Sequence, residues 1–291
     1  MNTKDILNEL QAWINEEQKA GRHVDINHIN AHAQLLMQRH NGAPQADFNG
    51  LSSSEMHNLI YNPFGENCIV KLNRLDSGQY SQIPLIRQTL YLLNTLAETD
   101  LKLTKLGWLP LKIVKEIYAL GQPEYFLEQF GYKRITESDA PSVGMSRAIL
   151  EILSWIKVRK GILSLTAKGK AALKDIDEAA NTILYYALCK VGTHHFDLYD
   201  DDRIGYYGIA YSVWLLNKFG GEWHSESFYL NQYLKVFHDF AASGAYGTRV
   251  FERLFYWLGI IEGREDPDPS SFFGWEVKKT DLLSLIFKFE K

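Results

Sequence analysis

Two stretches decide how this sequence is read: Leu101-Lys102-Leu103-Thr104-Lys105-Leu106-Gly107 and Leu163-Ser164-Leu165-Thr166-Ala167-Lys168-Gly169. Each alternates apolar and polar residues like a brief strand, then reaches a threonine suited to opening a helix. Each follows an apolar helical stretch and precedes another. The same grammar returns near the C-terminus, where Trp275-Glu276-Val277-Lys278-Lys279-Thr280 runs into a helix-like stretch over 281–289.

The flanks of the first phrase are helical. Pro84 sits where a first helical turn tolerates proline, and 85–97 repeats Ile86, Leu90, Leu93 and Leu96 along one face. Residues 111–120 resume the helical period and stop at Gly121. Short apolar patches follow (Tyr125, Phe126, Leu127, Phe130), with Asp139-Ala140-Pro141-Ser142 as punctuation. Around the second phrase the pattern predicts a helix over 146–156, a strand or tight hairpin over 158–165 around Lys160-Gly161, and a helix over 167–174 capped by Thr166. Further on, helices are predicted over 178–191, 205–219, 225–241 and 246–258. A strand at Ile260-Ile261-Glu262, a polar turn over 266–271 and a strand over 275–279 complete a hairpin. Placing Leu165-Thr166 on Lys279-Thr280 and Trp155-Ile156-Lys157 on Trp257-Leu258-Gly259 makes the two tryptophans equivalent and buried.

The first hundred residues are read the same way. Ile6, Leu7, Leu10, Trp13 and Ile14 form a helical stripe over 4–19, and a second apolar face covers 26–40. Asn41-Gly42-Ala43-Pro44 breaks the chain, so 41–50 reads as a linker. Ser52 and Glu55 stand at capping-box spacing and open a short helix that ends at Asn62-Pro63. Residues 65–82 read as a loop with one short strand over 68–72.

Helix, short strand, threonine, helix resembles the winged-helix superfamily. The run from Gly50-Leu51-Ser52-Ser53-Ser54-Glu55-Met56 to Asn62-Pro63-Phe64, and the ending Lys278-Lys279-Thr280-Asp281-Leu282-Leu283, are similar to bacterial proteins of unknown function. The resemblance covers most of the chain after residue 47 and brings no catalytic residues with it. It implies a mainly α protein with small β-wings: a helical pair over 1–46, tandem winged-helix-like units over 47–176, and an aromatic helical part over 177–291 ending in a further unit. A winged helix can place a helix in the DNA major groove while its wing touches phosphates, or it can dock proteins.

Composition agrees with a folded, soluble chain. Of 291 residues, 46% are hydrophobic and 23% charged, and 16 Tyr, 15 Phe and 7 Trp supply large core fillers. No apolar run approaches the roughly 18 residues that span a bilayer, and the start lacks the pattern of a signal peptide. Cys68 and Cys189 show no pairing motif, so a reduced cytoplasmic protein is expected.

The formal charge of −4 hides an asymmetry: residues 1–100 carry −4, 101–174 carry +7 and 175–291 carry −7. A basic block within an acidic chain is the footprint an anionic partner uses. Non-enzymatic binding is therefore the leading expectation, with nucleic acid held through 101–174 by Lys112, Lys115, Lys157, Arg159, Lys160, Lys168 and Lys170. A protein–protein docking scaffold is the alternative. A metal-dependent hydrolase built on His194-His195-Phe196-Asp197 and Asp200-Asp201-Asp202 is a second one. His28 and His32 stand at chelating spacing, but the Glu of a metalloprotease motif is missing. No Walker, dinucleotide or Gly-x-Ser-x-Gly fingerprint occurs, so neither a cofactor nor a metal is expected.

Overall fold

The computed structural model describes residues 3–124, 127, 131, 134–240, 244–265 and 275–290. The expectations at Tyr125, Phe126, Phe130 and the 266–271 turn lie outside them. The fold is mainly helical, with 56% helix, 12% strand and small antiparallel sheets.

Helices α1 (Thr3–Lys19) and α2 (Ile26–Gly42) form an antiparallel pair, seen in Trp13 stacked on His32 at 4.0 Å and in the Arg39–Glu9 ion pair. Helix α3 (Ser53–Tyr61) carries the expected capping box. Ser52 Oγ accepts from the Glu55 amide at 3.2 Å, and the Ser52 amide donates to Glu55 Oε2 at 2.7 Å. Strand β1 (Val70–Leu72) and the single turn α4 (Ser77–Tyr80) lead to α5 (Pro84–Glu98), whose proline is in its first turn. Leu85, Ile86, Leu90, Leu92, Leu93 and Leu96 of α5 are all buried, each removal from water contributing roughly 1.5–3 kcal/mol before chain entropy is set against it. This helix is the post around which the middle of the chain packs.

After α5 come β2 (Leu101–Lys102), α6 (Leu111–Tyr118), α7 (Pro141–Ile152), β3 (Ile156–Arg159) and β4 (Ile162–Leu165), with sheet order β2-β4-β3. The two quoted phrases thus supply the edge and centre strands of one sheet, Leu101 lying opposite Leu163. Residues 84–165 form one such arrangement where two were expected. Helix α7 also starts five residues earlier than predicted, because Pro141 serves as a first-turn residue and not as punctuation.

The short α8 (Ala167–Ala172) and α9 (Ile176–Cys189) lead to a second arrangement with the same connections. It comprises α10 (Ile209–Phe219), β5 (His224–Ser225), α11 (Glu226–Val236), a π helix (Gly247–Phe255) running into α12 (Tyr256–Leu258), then β6 (Ile261–Glu265) and β7 (Trp275–Lys279). Its sheet order is β5-β7-β6, again first, third, second.

The likeness extends to single hydrogen bonds. Ser154 (φ 57°) and Gly259 (φ 73°) end the preceding helix in the left-handed region. The next amide reaches back five residues, Trp155 to Leu150 O at 2.9 Å and Ile260 to Phe255 O at 3.1 Å. Thr166 Oγ1 donates to Ser154 O at 2.7 Å, and Thr280 Oγ1 to Gly259 O at 2.7 Å. Trp155 therefore corresponds to Ile260, not to Trp257. Both tryptophans are buried, but the left-handed residue sets the register and places Trp257 opposite Ile152. The ending differs from expectation as well: helix α13 (Leu282–Ile286) stops early, and β8 (Phe287–Phe289) pairs with β1, Val70 opposite Phe289.

Candidate nucleic-acid interface

In the β3–β4 hairpin, Lys160 (φ 51°) and Gly161 (φ 73°) make the two-residue turn whose twist suits antiparallel strands. Glycine takes this conformation freely, while a lysine there carries roughly 1 kcal/mol of strain. Lys160 is thereby held at the apex. Opposed residues of antiparallel strands share a face. Lys157 lies opposite Ser164, Arg159 opposite Ile162, and Ile162 opposite Lys102, so these five make up the outer face. The inner face holds Leu101, Ile156, Leu163 and Leu165 in the core.

Lys102, Lys157, Arg159 and Lys160 are exposed, and among the described residues none has an ion-pair partner. Lys102 was not singled out from the sequence, although the Leu-Lys-Leu alternation that predicts a strand also turns it outward. Exposed Lys168 and Lys170 flank Gly169, which packs inward: a Cβ on it would sit 2.2 Å from Trp155 O. Two positions apart on a helix they point about 200° apart, so the two diverge around α8. Lys112 and Lys115 are on α6, and Lys112 has Glu116 at 3.9 Å. Lys168 and Lys170 thus face apart, while the hairpin and sheet face hold a compact group of exposed cations.

The helix preceding each hairpin is covered. Phe196 packs so closely on α7 that a Cβ at Gly144 would lie 2.8 Å from its ring. Arg147 is engaged by Glu137 at 3.1 Å and Glu151 at 2.8 Å, and burial raises the Glu137 carboxyl above its usual range. On the π helix, Arg249 is 1% exposed and grips Asp197 through Nε and Nη2, both at 2.8 Å. It also donates to the carbonyls of Tyr199, Asp201 and Ile204, while Arg253 donates to those of Thr193 and Phe196. Residues 193–204 form a strap tied down over both helices. Burial alone would raise Asp197, but the Arg249 hydrogen bonds, the Tyr199 amide and the charges of Arg249 and Arg253 together outweigh it and hold the carboxyl below its usual range.

Two acids of the 194–202 cluster are engaged by arginines. Asp197 belongs to two arginines, and Asp201 is drawn down to about 2 by the Arg203 side chain and amide. Among the described residues no three His, Cys, Asp or Glu side chains are grouped to hold a metal ion. Beside the strap a cleft of about 450 Å³ is lined by Trp108, Arg147, Glu151, His195 and Leu198. A buried acid that sequence reasoning missed is Glu226, whose two carboxyl oxygens have no hydrogen-bond partner among the described residues and which burial, with Glu252 nearby, pushes well above the usual carboxylate range.

No family model, curated protein or solved structure matches this chain. Among the described residues no helix is long and apolar enough to cross a membrane.

Proposed function

We propose that this chain is a non-enzymatic binding protein built on two winged-helix-like units, and that the outer face and hairpin tip of the first unit hold the phosphate backbone of a nucleic acid. The shared element order and sheet order support the winged-helix reading. One observation carries the binding reading: Lys102, Lys157, Arg159 and Lys160 stand exposed, with no acidic partner among the described residues, on one small sheet and its strained apex. Because the strap and salt bridges cover the helix before each hairpin, the expected contact is backbone attraction by the wing, with little sequence preference.

Fluorescence anisotropy with a labelled duplex tests this. About four phosphate contacts give a log–log salt slope near −3.6, at roughly −0.9 per contact. Replacing Arg159 and Lys160 with alanine flattens the slope by about 1.8 and leaves the circular dichroism spectrum unchanged. Absence of binding at micromolar protein in about 50 mM salt rejects the reading. It would favour protein docking, for which the cleft beside fully exposed Leu198 is the specific support.

A further inference from the structure

The cleft of about 450 Å³ between α7 and the strap lies within the roughly 300–1,000 Å³ of small-molecule sites. Its floor is a closed polar network. Glu137 Oε2 accepts from the Leu109 amide at 2.6 Å and from Arg147 Nη1 at 3.1 Å. Arg147 also donates to Gly107 O and, through Nε, to Glu151 Oε1, both at 2.8 Å. Trp108 stands on this floor with its own backbone fixed: the Thr104 amide donates to Trp108 O at 2.8 Å, and the Trp108 amide to Thr104 Oγ1 at 3.1 Å. Groups held in place beforehand lower the ordering cost that binding must overcome. Two apolar side chains of the wall are also left over from folding. Among the described residues Trp108 is only half-buried and lies outside the packed core, and Leu198 at the lip is fully exposed.

The charges select the ligand. Glu137 and Glu151 share the single positive charge of Arg147, which leaves one negative charge in excess. That excess is reachable at Glu151, whose side chain is 43% exposed and whose Oε2 accepts no hydrogen bond among the described residues. Arg147 Nη2 is open as well, but an anion approaching it would meet both carboxylates. Asp197, also in the wall, is held by Arg249 and Arg253, and Arg253 in turn faces Glu124 and Glu252. A carboxylate beside an indole attracts a cation, the first by charge and the second by its ring face. We infer that this cleft is a binding site for a small organic amine, its ammonium head between Glu151 and Trp108 and its apolar body toward Phe196 and Leu198.

Isothermal titration calorimetry on the full chain at about pH 8 tests this with three probes that share one body: phenylpropylamine, phenylpropanol and phenylpropanoate. The amine, cationic at that pH, is expected to bind one to one with a Kd below about 1 mM, at least about tenfold more tightly than the alcohol, while the carboxylate does not bind. Glu151→Gln keeps an acceptor for Arg147 and removes the excess charge, and Trp108→Leu keeps apolar bulk and removes the ring. Each is expected to weaken the amine at least about fivefold with the circular dichroism spectrum unchanged. No heat of binding with the amine at about 10 mM overturns the inference. So do an alcohol or carboxylate that binds as tightly as the amine, and amine binding that both variants leave intact, since its site would then lie elsewhere. None of the lining residues belongs to the wing, so these outcomes are independent of nucleic-acid binding.

Discussion

Replacing Arg249 with methionine keeps the aliphatic stem and removes the guanidinium that ties the 193–204 strap to the π helix. Both the Arg249 and Asp197 side chains are nearly inaccessible, at 1% and 5%. Breaking a buried pair of this kind costs about 3–5 kcal/mol, because the remaining charge is left without its partner. Arg253 still reaches Asp197 Oδ2 at 3.1 Å, and the carbonyls released at Tyr199, Asp201 and Ile204 can turn to water as the strap lifts. The low end, about 3 kcal/mol, is therefore expected. That is a large share of the roughly 5–15 kcal/mol that stabilises a whole protein. In urea, followed by tryptophan fluorescence, a slope near 3 kcal/mol/M turns the loss into a midpoint lowered by about 1 M. The Asp197→Asn change should cost less on the methionine background than alone, what remains being its pair with Arg253. A shift below about 0.3 M, or strictly additive changes, would refute the claim that this pair holds the strap.

Two other outcomes follow from single side chains. Glu226 has a raised folded-state pKa, so the folded protein binds its proton more tightly than the unfolded chain; stability is greatest below the unfolded value near 4.5 and falls as pH rises through the folded one. Glu226→Gln should flatten that decline, a slope of up to about 1.4 kcal/mol per pH unit for one proton, in denaturation midpoints measured from pH 5 to 8.5. Thr166→Val and Thr280→Val each lose the hydroxyl bond that closes the preceding helix, and Thr166→Val also loses the helix cap on Gly169. Both should cost about 1 kcal/mol, Thr166→Val the more, and equal stability with wild type would show the repeated bond to be incidental.

Much of this fold was legible locally. Helix starts marked by chemistry, such as the Ser52–Glu55 box, Pro84 and Thr166, fell within a residue or two of expectation, because a cap acts over three or four positions. The Lys160-Gly161 turn was legible for the same reason. Contacts across long separations were not. Nothing at Leu101 announces that it pairs with Leu163, and nothing at Phe287 announces β1. Tryptophan is a conspicuous letter but a poor ruler: Ser154, an ordinary residue in an unusual conformation, sets the register that Trp155 and Trp257 misled. In the candidate site, exposed cations on a hairpin could be read from alternation alone. The strap could not, because Asp197 looks like one acid among several until Arg249, far along the chain, is seen to claim it.

The pairing of β1 with β8 bears on how the molecule comes into being. Val70–Leu72 leaves the ribosome long before Phe287–Phe289 is made, so its strand edge must wait, unpaired, through synthesis of nearly everything between them. The closure itself is inexpensive, since loop entropy grows only with the logarithm of length. The hazard is temporal, for an unsatisfied strand edge is open to the wrong partner until the right one arrives. Truncation after Ile286 would make that wait permanent.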